Sequence, residues 1–190
     1  MSVEYLIRQY GLQQGALEIQ YIEEFFLDFP RKKTAAEVVQ RDHQILMAEA
    51  ALPDDRATVV PVSFKVAHEL KAAETDPKLA DLVFQLEDVV QFRGRRVLYQ
   101  WIGGTRKDWR GQGHFRALTE EQEVWAIENG FDEIIVKTKN RFYEMRSTLA
   151  QLALDVIRFV PHPVECGESK VFLRKRLGQD VIDSHRSRRS

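Results

Sequence analysis

Residues 97 to 138 constrain this chain more than any other stretch. "VLYQWIGG" is a short apolar run carrying two aromatics and reads as a strand, and the glycine turn "WRGQGHF" follows it. "FRALTEEQEVWAIENG" then places Ala117, Leu118, Val124 and Trp125 on one helical face and ends at Asn129-Gly130, a favoured C-cap pair. "DEIIVKT" comes next as a second strand. Strand, glycine turn, helix and strand in this order is a βαβ unit, which puts both strands in one sheet with the helix covering it. The expected class is therefore α/β (α+β), a mixed central β-sheet flanked by helices. A ligand of such a sheet sits where strand meets helix.

The flanking segments supply the rest of the sheet and its cover. "ALEIQYIEEFFLDFP" places Leu17, Tyr21 and Phe25 on one helical face before Pro30 stops it. "KTAAEVVQRDHQIL" opens with Thr34 and Glu37 at the spacing of a capping box, so two helices are predicted to open the domain. "QILMAEAAL" and "ATVVPVSFKVAHEL" are β-branched apolar runs separated by "PDDR" and read as a hairpin. "DPKLADLVFQLEDVVQF" has Leu79, Leu82, Val83, Leu86, Val89 and Val90 at helical spacing behind Asp76-Pro77, and is read as a helical insertion near 76–92. "RFYEMRSTLAQLAL" is a further long helix, and "VIRFV" and "SKVFLRKRL" close the chain as strands around "PHPVECGE". With 190 residues the expectation is one domain, 1–190, ending in a basic tail, 178–190.

No apolar run approaches the ~18 residues a membrane helix needs, so no membrane partner is expected. The N-terminal "MSVEYLIRQYG" does not pair a basic region with an apolar core, and one cysteine, Cys166, cannot staple the fold. A reducing cytoplasm is the expected location. A formal charge of -1 argues against a protein that lives by binding nucleic acid. The charge is uneven, with six basic and two acidic residues from Arg174 to Ser190, and six acidic and no basic ones from Ala117 to Glu133. The basic end reads as a solvated, mobile tail.

Glycines at 111 and 113 let main-chain N–H groups turn toward one point, and the following helix adds its unpaired N–H groups and the positive end of its dipole. Arg106, Lys107, Arg110 and Arg116 surround this anion cradle, whose natural guest is a pyrophosphate. A P-loop needs Gly-Lys-Ser/Thr where this chain has Gly113-His114-Phe115, and a dinucleotide fingerprint needs glycine where Arg116 stands. Neither ATP nor NAD is indicated.

The loop resembles the coenzyme A loop of the GNAT superfamily of N-acetyltransferases, Gln/Arg-x-x-Gly-x-Gly/Ala. Arg110 and Gly113 match, and Phe115 stands where the motif has Gly or Ala. The setting is similar too: a strand before, "RAL" after the loop, then a strand, Asn140 and a helix. "FPRKKTAAE" and "VKTKNRF" resemble a bacterial branch whose acceptor is unassigned. The resemblance implies an acyl-CoA-dependent N-acetyltransferase that uses acetyl-CoA and transfers its acetyl group by direct attack of a primary amine, on a small molecule or a peptide. It implies that Gly103, Gly104 and Thr105 offer backbone hydrogen bonds to the pantetheine arm and thioester carbonyl. Arg110, Gly111, Gln112, Gly113, His114, Phe115 and Arg116 would wrap the pyrophosphate, with Asn140 also at the cofactor. The oligomeric state stays open, a homodimer included.

The catalytic groups are harder to read. Many superfamily members carry a tyrosine acid four residues before a Gly-Phe pair; here that pair aligns with Ala153-Leu154, and Leu149 takes the tyrosine position. Tyr143 and Tyr99 are the phenols available as catalytic residues, with packing or pocket lining as the alternative. Glu23, Glu24 and Asp28 offer a base or a solvated helix face. His114, wrapped against pyrophosphate, is not read as catalytic. His43, His68, His162 and His185 lack metal-ligand spacing, and Cys166 lacks an activating partner, so no metal is expected. Trp101, Trp109 and Trp125 read as core or cofactor-edge packing. The rival reading is a coenzyme A binding module without catalysis. A nucleic-acid adaptor using the tail and "RGRR" is disfavoured by the near-neutral charge.

Overall fold

A computed structural model describes residues 4–23, 36–52 and 54–189. In chain order its elements are β1 (Tyr5–Tyr10), α1 (Leu12–Glu23), β2 (Gln44–Ala51), β3 (Val59–Leu70), α2 (Pro77–Leu86), β4 (Val97–Thr105), α3 (His114–Glu128), β5 (Glu133–Lys139), α4 (Tyr143–Gln151), β6 (Asp155–Val160), β7 (Lys170–Arg176) and α5 (Gln179–Arg189). The seven strands form one mixed sheet in the order β1-β2-β3-β4-β5-β7-β6. β4 and β5 are parallel, from Val97↔Glu133 to Gln100↔Val136, as the βαβ reading requires. The pairs β1/β2, β2/β3, β5/β7 and β6/β7 are antiparallel. The α/β class expected from the sequence is the one observed.

The chain divides into two compact units, Met1–His68 with Trp101–Thr119, and Glu69–Gln100 with Glu120–Ser190. In the first unit successive residues of β2 point to opposite faces, as the pleat demands. Ile45 and Met47 join Phe64 and Val66 of β3 on one face, covered by Ala16, Ile19 and Ile22 of α1 and by Val38. Leu46, Ala48, Ala50 and Val62 form the other face, against Trp109 and Leu118. In the second unit Ile134, Ile135 and Val136 of β5 are all buried, the continuous apolar run of a strand covered on both sides. Asp76 caps α2, its carboxylate accepting from the Lys78 and Leu79 N–H groups, with Pro77 in the first turn.

Several expectations need correction. The chain opens with a strand, β1, before its first helix. This is the sheet edge, and its half-exposed Tyr-Leu-Ile-Arg-Gln-Tyr run is too short and too polar for its alternation to stand out. On α1 the buried stripe is Ala16, Ile19, Ile22 and Glu23, whereas Leu17 and Tyr21 are 68% and 40% exposed. Both stripes have helical spacing; the sheet took the one beside Gly15, where an added Cβ would lie 2.5 Å from Ile45 Cδ1. Phe25, Pro30, Thr34 and Pro53 lie outside the described residues. α2 ends at Leu86, whose carbonyl accepts from both Val89 and Val90 as the helix closes.

On α3 only Leu118 of the four predicted core residues is buried, and Thr119, Gln122 and Glu123 are buried with it. Pairing makes this tolerable: Glu123 Oε2 lies 2.7 Å from Lys175 Nζ and 2.6 Å from His185 Nε2. His185 belongs to the expected tail, which is the helix α5, with Val181 and His185 buried. The predicted C-cap is present: Gly130 has φ +75°, and the Phe131 N–H donates to the Ala126 carbonyl.

Candidate functional site

In the first unit β4 runs out at Thr105 and the Arg106 N–H donates to the Val62 carbonyl at 2.9 Å, the last tie to β3. One 3-10 turn, Lys107–Trp109, then drops Trp109 into the apolar layer beside Leu118. Anchored there, the chain turns through Gly111 at φ +76° and Gly113 at φ +82°. Any other residue type is strained in that region, and the space a Cβ would enter at either glycine is open for 4 Å. The Gly113 carbonyl accepts from Ala117 N–H at 3.0 Å and starts α3. The N–H groups of His114, Phe115 and Arg116 therefore have no acceptor within the helix, as in any first turn. Arg110 Nε donates to the Thr105 carbonyl at 3.2 Å, which holds a guanidinium against the strand end. Arg106 is shared with Asp108, at 2.9 Å, and with the Tyr21 hydroxyl, at 3.4 Å. Turned N–H donors, a helix N-terminus and fixed cations in open space suit a phosphate-bearing anion.

The strand leading into the cradle is held on its far side. Ser63 Oγ donates to the Gly104 carbonyl at 3.0 Å and lies 2.7 Å from Thr105 Oγ1. A Cβ on Gly103 would lie 3.1 Å from the Phe64 carbonyl oxygen, so this residue sets how closely β4 approaches β3. Gln112 is exposed and Arg116 partly so. The His114 side chain does not face the cradle: it is buried, 4.3 Å from the Tyr5 ring centroid and stacked on Trp109 at 6.2 Å. Burial lowers its pKa, and neither ring nitrogen has a hydrogen-bond partner among the described residues. Only its main chain is available to an anion.

Lys65 was not legible as a site residue. Buried on β3, it donates from Nζ to Thr119 Oγ1 at 2.6 Å and stands 4.6 Å over the Phe115 ring, while Thr119 Oγ1 donates to the Phe115 carbonyl at 2.7 Å. The aromatic ring that departs from the loop motif thus has a structural partner, a buried ammonium.

Tyr99, Asn140 and Tyr143 belong to the second unit. Tyr99 is buried in β4, and desolvation pushes its phenol pKa up, which makes it a poorer proton donor. Asn140 has both ends of its amide engaged: Nδ2 donates to the Cys166 carbonyl at 3.2 Å, and Oδ1 accepts from Arg146. Tyr143, the first residue of α4, is 65% exposed and lines a cavity of about 330 Å³ with Arg146, Ser147, Ala150 and Leu154.

Sequence spacing gave no reason to join His43 to His68, yet the fold does so. On the α1-covered face the two rings stand perpendicular at 5.0 Å between centroids, and His43 stacks on Trp101 of β4 at 5.2 Å. Arg41 Nη1 donates to His68 Nδ1 at 3.0 Å, and His43 Nδ1 lies 2.8 Å from the Val38 carbonyl and 2.9 Å from that of Arg41. Burial lowers the His43 pKa. Tyr10 of β1 is a further phenol; its hydroxyl donates to Glu49, and burial together with that carboxylate raises its pKa. Glu23 is fully buried, which removes the solvated-face reading for it, while Glu24 and Asp28 lie outside the described residues. Among the described residues no cluster of His, Cys, Asp or Glu is arranged to hold a metal, and no helix is long and apolar enough to cross a membrane.

No family model matches the sequence, and no curated protein matches it. Solved structures do match. NAA60 of Arabidopsis thaliana in complex with acetyl-CoA is 11% identical with a TM-score of 0.69, over 91% of this chain and 98% of that one. Mosquito arylalkylamine N-acetyltransferase like 5b is 13% identical with a TM-score of 0.67, over 92% of this chain and 100% of that one. An acetyltransferase of the GNAT family from Streptococcus pneumoniae is 11% identical with a TM-score of 0.57, over 92% and 100%. At such identities the likeness is one of fold, and with the parallel β4–β5 pair and the glycine turn before α3 it gives this chain the fold of the GNAT N-acetyltransferases.

Proposed function

We propose that the protein is an N-acetyltransferase that takes acetyl-CoA as donor and a primary amine, on a small molecule or a peptide, as acceptor. One observation carries this reading: Gly111 and Gly113, both at positive φ, open onto the first turn of α3 beside Arg110. The fold supports it, since a solved structure of similar fold holds acetyl-CoA. In this reading the N–H groups of residues 111–116 and the Arg110 guanidinium hold the pyrophosphate, and the backbone of Gly103, Gly104 and Thr105 orients the pantetheine arm. Bound acetyl-CoA supplies an activated acyl group, so the chain's own work is to bind, to orient and to take a proton from the amine. Asn140 serves the cofactor indirectly, by fixing the turn after β5 through Cys166 and Arg146. Tyr143, exposed where Tyr99 is buried, is the better placed of the two phenols to exchange a proton. A reducing cytoplasm suits the exposed, unpaired Cys166.

Coenzyme A and acetyl-CoA are expected to raise the melting temperature of the full chain, with NAD and ATP at equal concentration giving smaller shifts. Equal shifts from ATP would reduce the cradle to a general phosphate site. Stabilisation without turnover across an amine panel would select the non-catalytic coenzyme A module instead.

A further inference from the structure

The histidine cluster on the α1-covered face has a defined protonation pattern, fixed by partners that can play only one role. A carbonyl oxygen only accepts, so His43 Nδ1, within 2.9 Å of the Val38 and Arg41 carbonyls, carries the ring proton. Neutral His43 therefore keeps its lone pair on Nε2, which makes no hydrogen bond among the described residues. A guanidinium only donates, so His68 Nδ1 is the acceptor from Arg41, and His68 bears its proton on Nε2. Two adjacent imidazoles thus have opposite tautomers, and only one offers an unengaged basic nitrogen. Desolvation holds the His43 pKa down and the Arg41 charge adds to this, against the hydrogen bonds to the Arg41 and Val38 carbonyls and, more weakly, Asp42, which favour the protonated ring. From the other elements packed on it, His68 of β3 and Trp101 of β4 face the ring. Trp101 lies two residues before Gly103, on the strand that the proposed function assigns to the thioester.

We propose that His43 is the general base of the transfer, its Nε2 receiving the proton of the acceptor amine, with Trp101 as the wall against which that amine is held. The proposal rests on the acetyltransferase reading. The amine nitrogen forms its bond to the acetyl carbon as the thioester C–S bond breaks; Nε2 takes the proton that nitrogen sheds, and the released thiolate takes one from solvent. The Val38 and Arg41 carbonyls do for His43 what a carboxylate does for other catalytic imidazoles: they fix the tautomer and stabilise the imidazolium that forms. A cation at Arg41 favours acceptors with one amine over polycations.

The tautomer is tested first, on the full chain without ligand, by long-range 1H–15N spectroscopy, with His43→Gln supplying the assignment. A proton on Nδ1 and titration below pH 6.5 are expected. A proton on Nε2, or titration at or above that value, overturns the proposal, and this arm needs no acceptor. The second arm compares wild type and His43→Gln for acetylation of phenethylamine and for coenzyme A affinity. The expected result is turnover lowered about 10²-fold with affinity unchanged, and loss of the acid limb of the kcat/KM profile. Unchanged turnover in a folded His43→Gln protein overturns the base and leaves the acetyltransferase standing. Wild type that binds no coenzyme A overturns the acetyltransferase reading instead, whatever the tautomer.

Discussion

The two faces of the first unit's sheet present different kinds of chemical group, drawn from different parts of the chain. On the face of Trp109 and Leu118, the groups that would meet a ligand are mostly main-chain N–H donors, positioned by two glycines and the start of one helix. On the face covered by α1, the groups are side chains, His43, His68 and Trp101, each from a different segment. A backbone site is local and keeps its shape if its turn keeps its dihedrals. A side-chain site is assembled across strands and depends on the packing that holds those strands in register. The first tolerates changes of side chain except at its glycines, and the second tolerates almost none.

The largest expected effects come from emptying each face in turn. Phe64→Ala, under α1, is expected to cost about 3–5 kcal/mol, and Leu118→Ala, under the cradle, about 2–5 kcal/mol, both read by denaturant unfolding. Where enough folded protein remains, Phe64→Ala is expected to impair turnover with little change in coenzyme A affinity, and Leu118→Ala the reverse. Equal damage to both functions from both variants would show that the faces are not separable. Next comes Gly113→Val, expected to bind coenzyme A at least tenfold more weakly while costing about 1–3 kcal/mol of stability, both measured on one sample. A folded variant with wild-type affinity would make the glycine turn a mere bend.

The phenols probe the second unit. Tyr143→Phe is expected to lower turnover about 10²-fold if its hydroxyl, rather than solvent, supplies the proton that the released thiolate takes. Tyr99→Phe is expected to leave turnover within about threefold of wild type, because desolvation holds its proton in place. A reversed order would place the chemistry in the strand.

The smallest effect is in pH. His43 and His114, one on each side of the comparison, both have pKa values lowered by burial from 6.5. Their neutral forms stabilise the fold above about pH 6.5, and that stability is lost as pH falls through the lowered values, with a slope of at most about 1.4 kcal/mol per unit for each group. Thermal unfolding between pH 7 and 5 reads the slope. His43→Gln and His114→Gln are each expected to flatten it, and a slope unchanged in both would assign it to the carboxylates.

How much of this was legible follows from where each signal resides. The βαβ unit, the hairpin of β2 and β3, and the Asn129-Gly130 cap are local patterns of spacing and turn chemistry, and all were readable from consecutive residues. So was the turn before α3, because glycines at 111 and 113 ahead of a helix are what a chain at positive φ requires. β1 escaped because an edge strand of six residues carries a weak alternation, and α1 showed two apolar stripes of equal spacing, between which only the sheet could choose. The charged C-terminal run read as a solvated tail, since nothing in the sequence says that Glu123 is buried and waiting for His185 and Lys175. The sequence by itself determined the βαβ unit, the hairpin and the glycine turn before α3, because backbone conformation is set within a few residues. Tertiary structure alone decided that His43, His68 and Trp101 meet, that Lys65 sits over Phe115, and that Tyr99 is sealed in the sheet. Those are relations between strands, and strand register is fixed by packing rather than by neighbours in the chain.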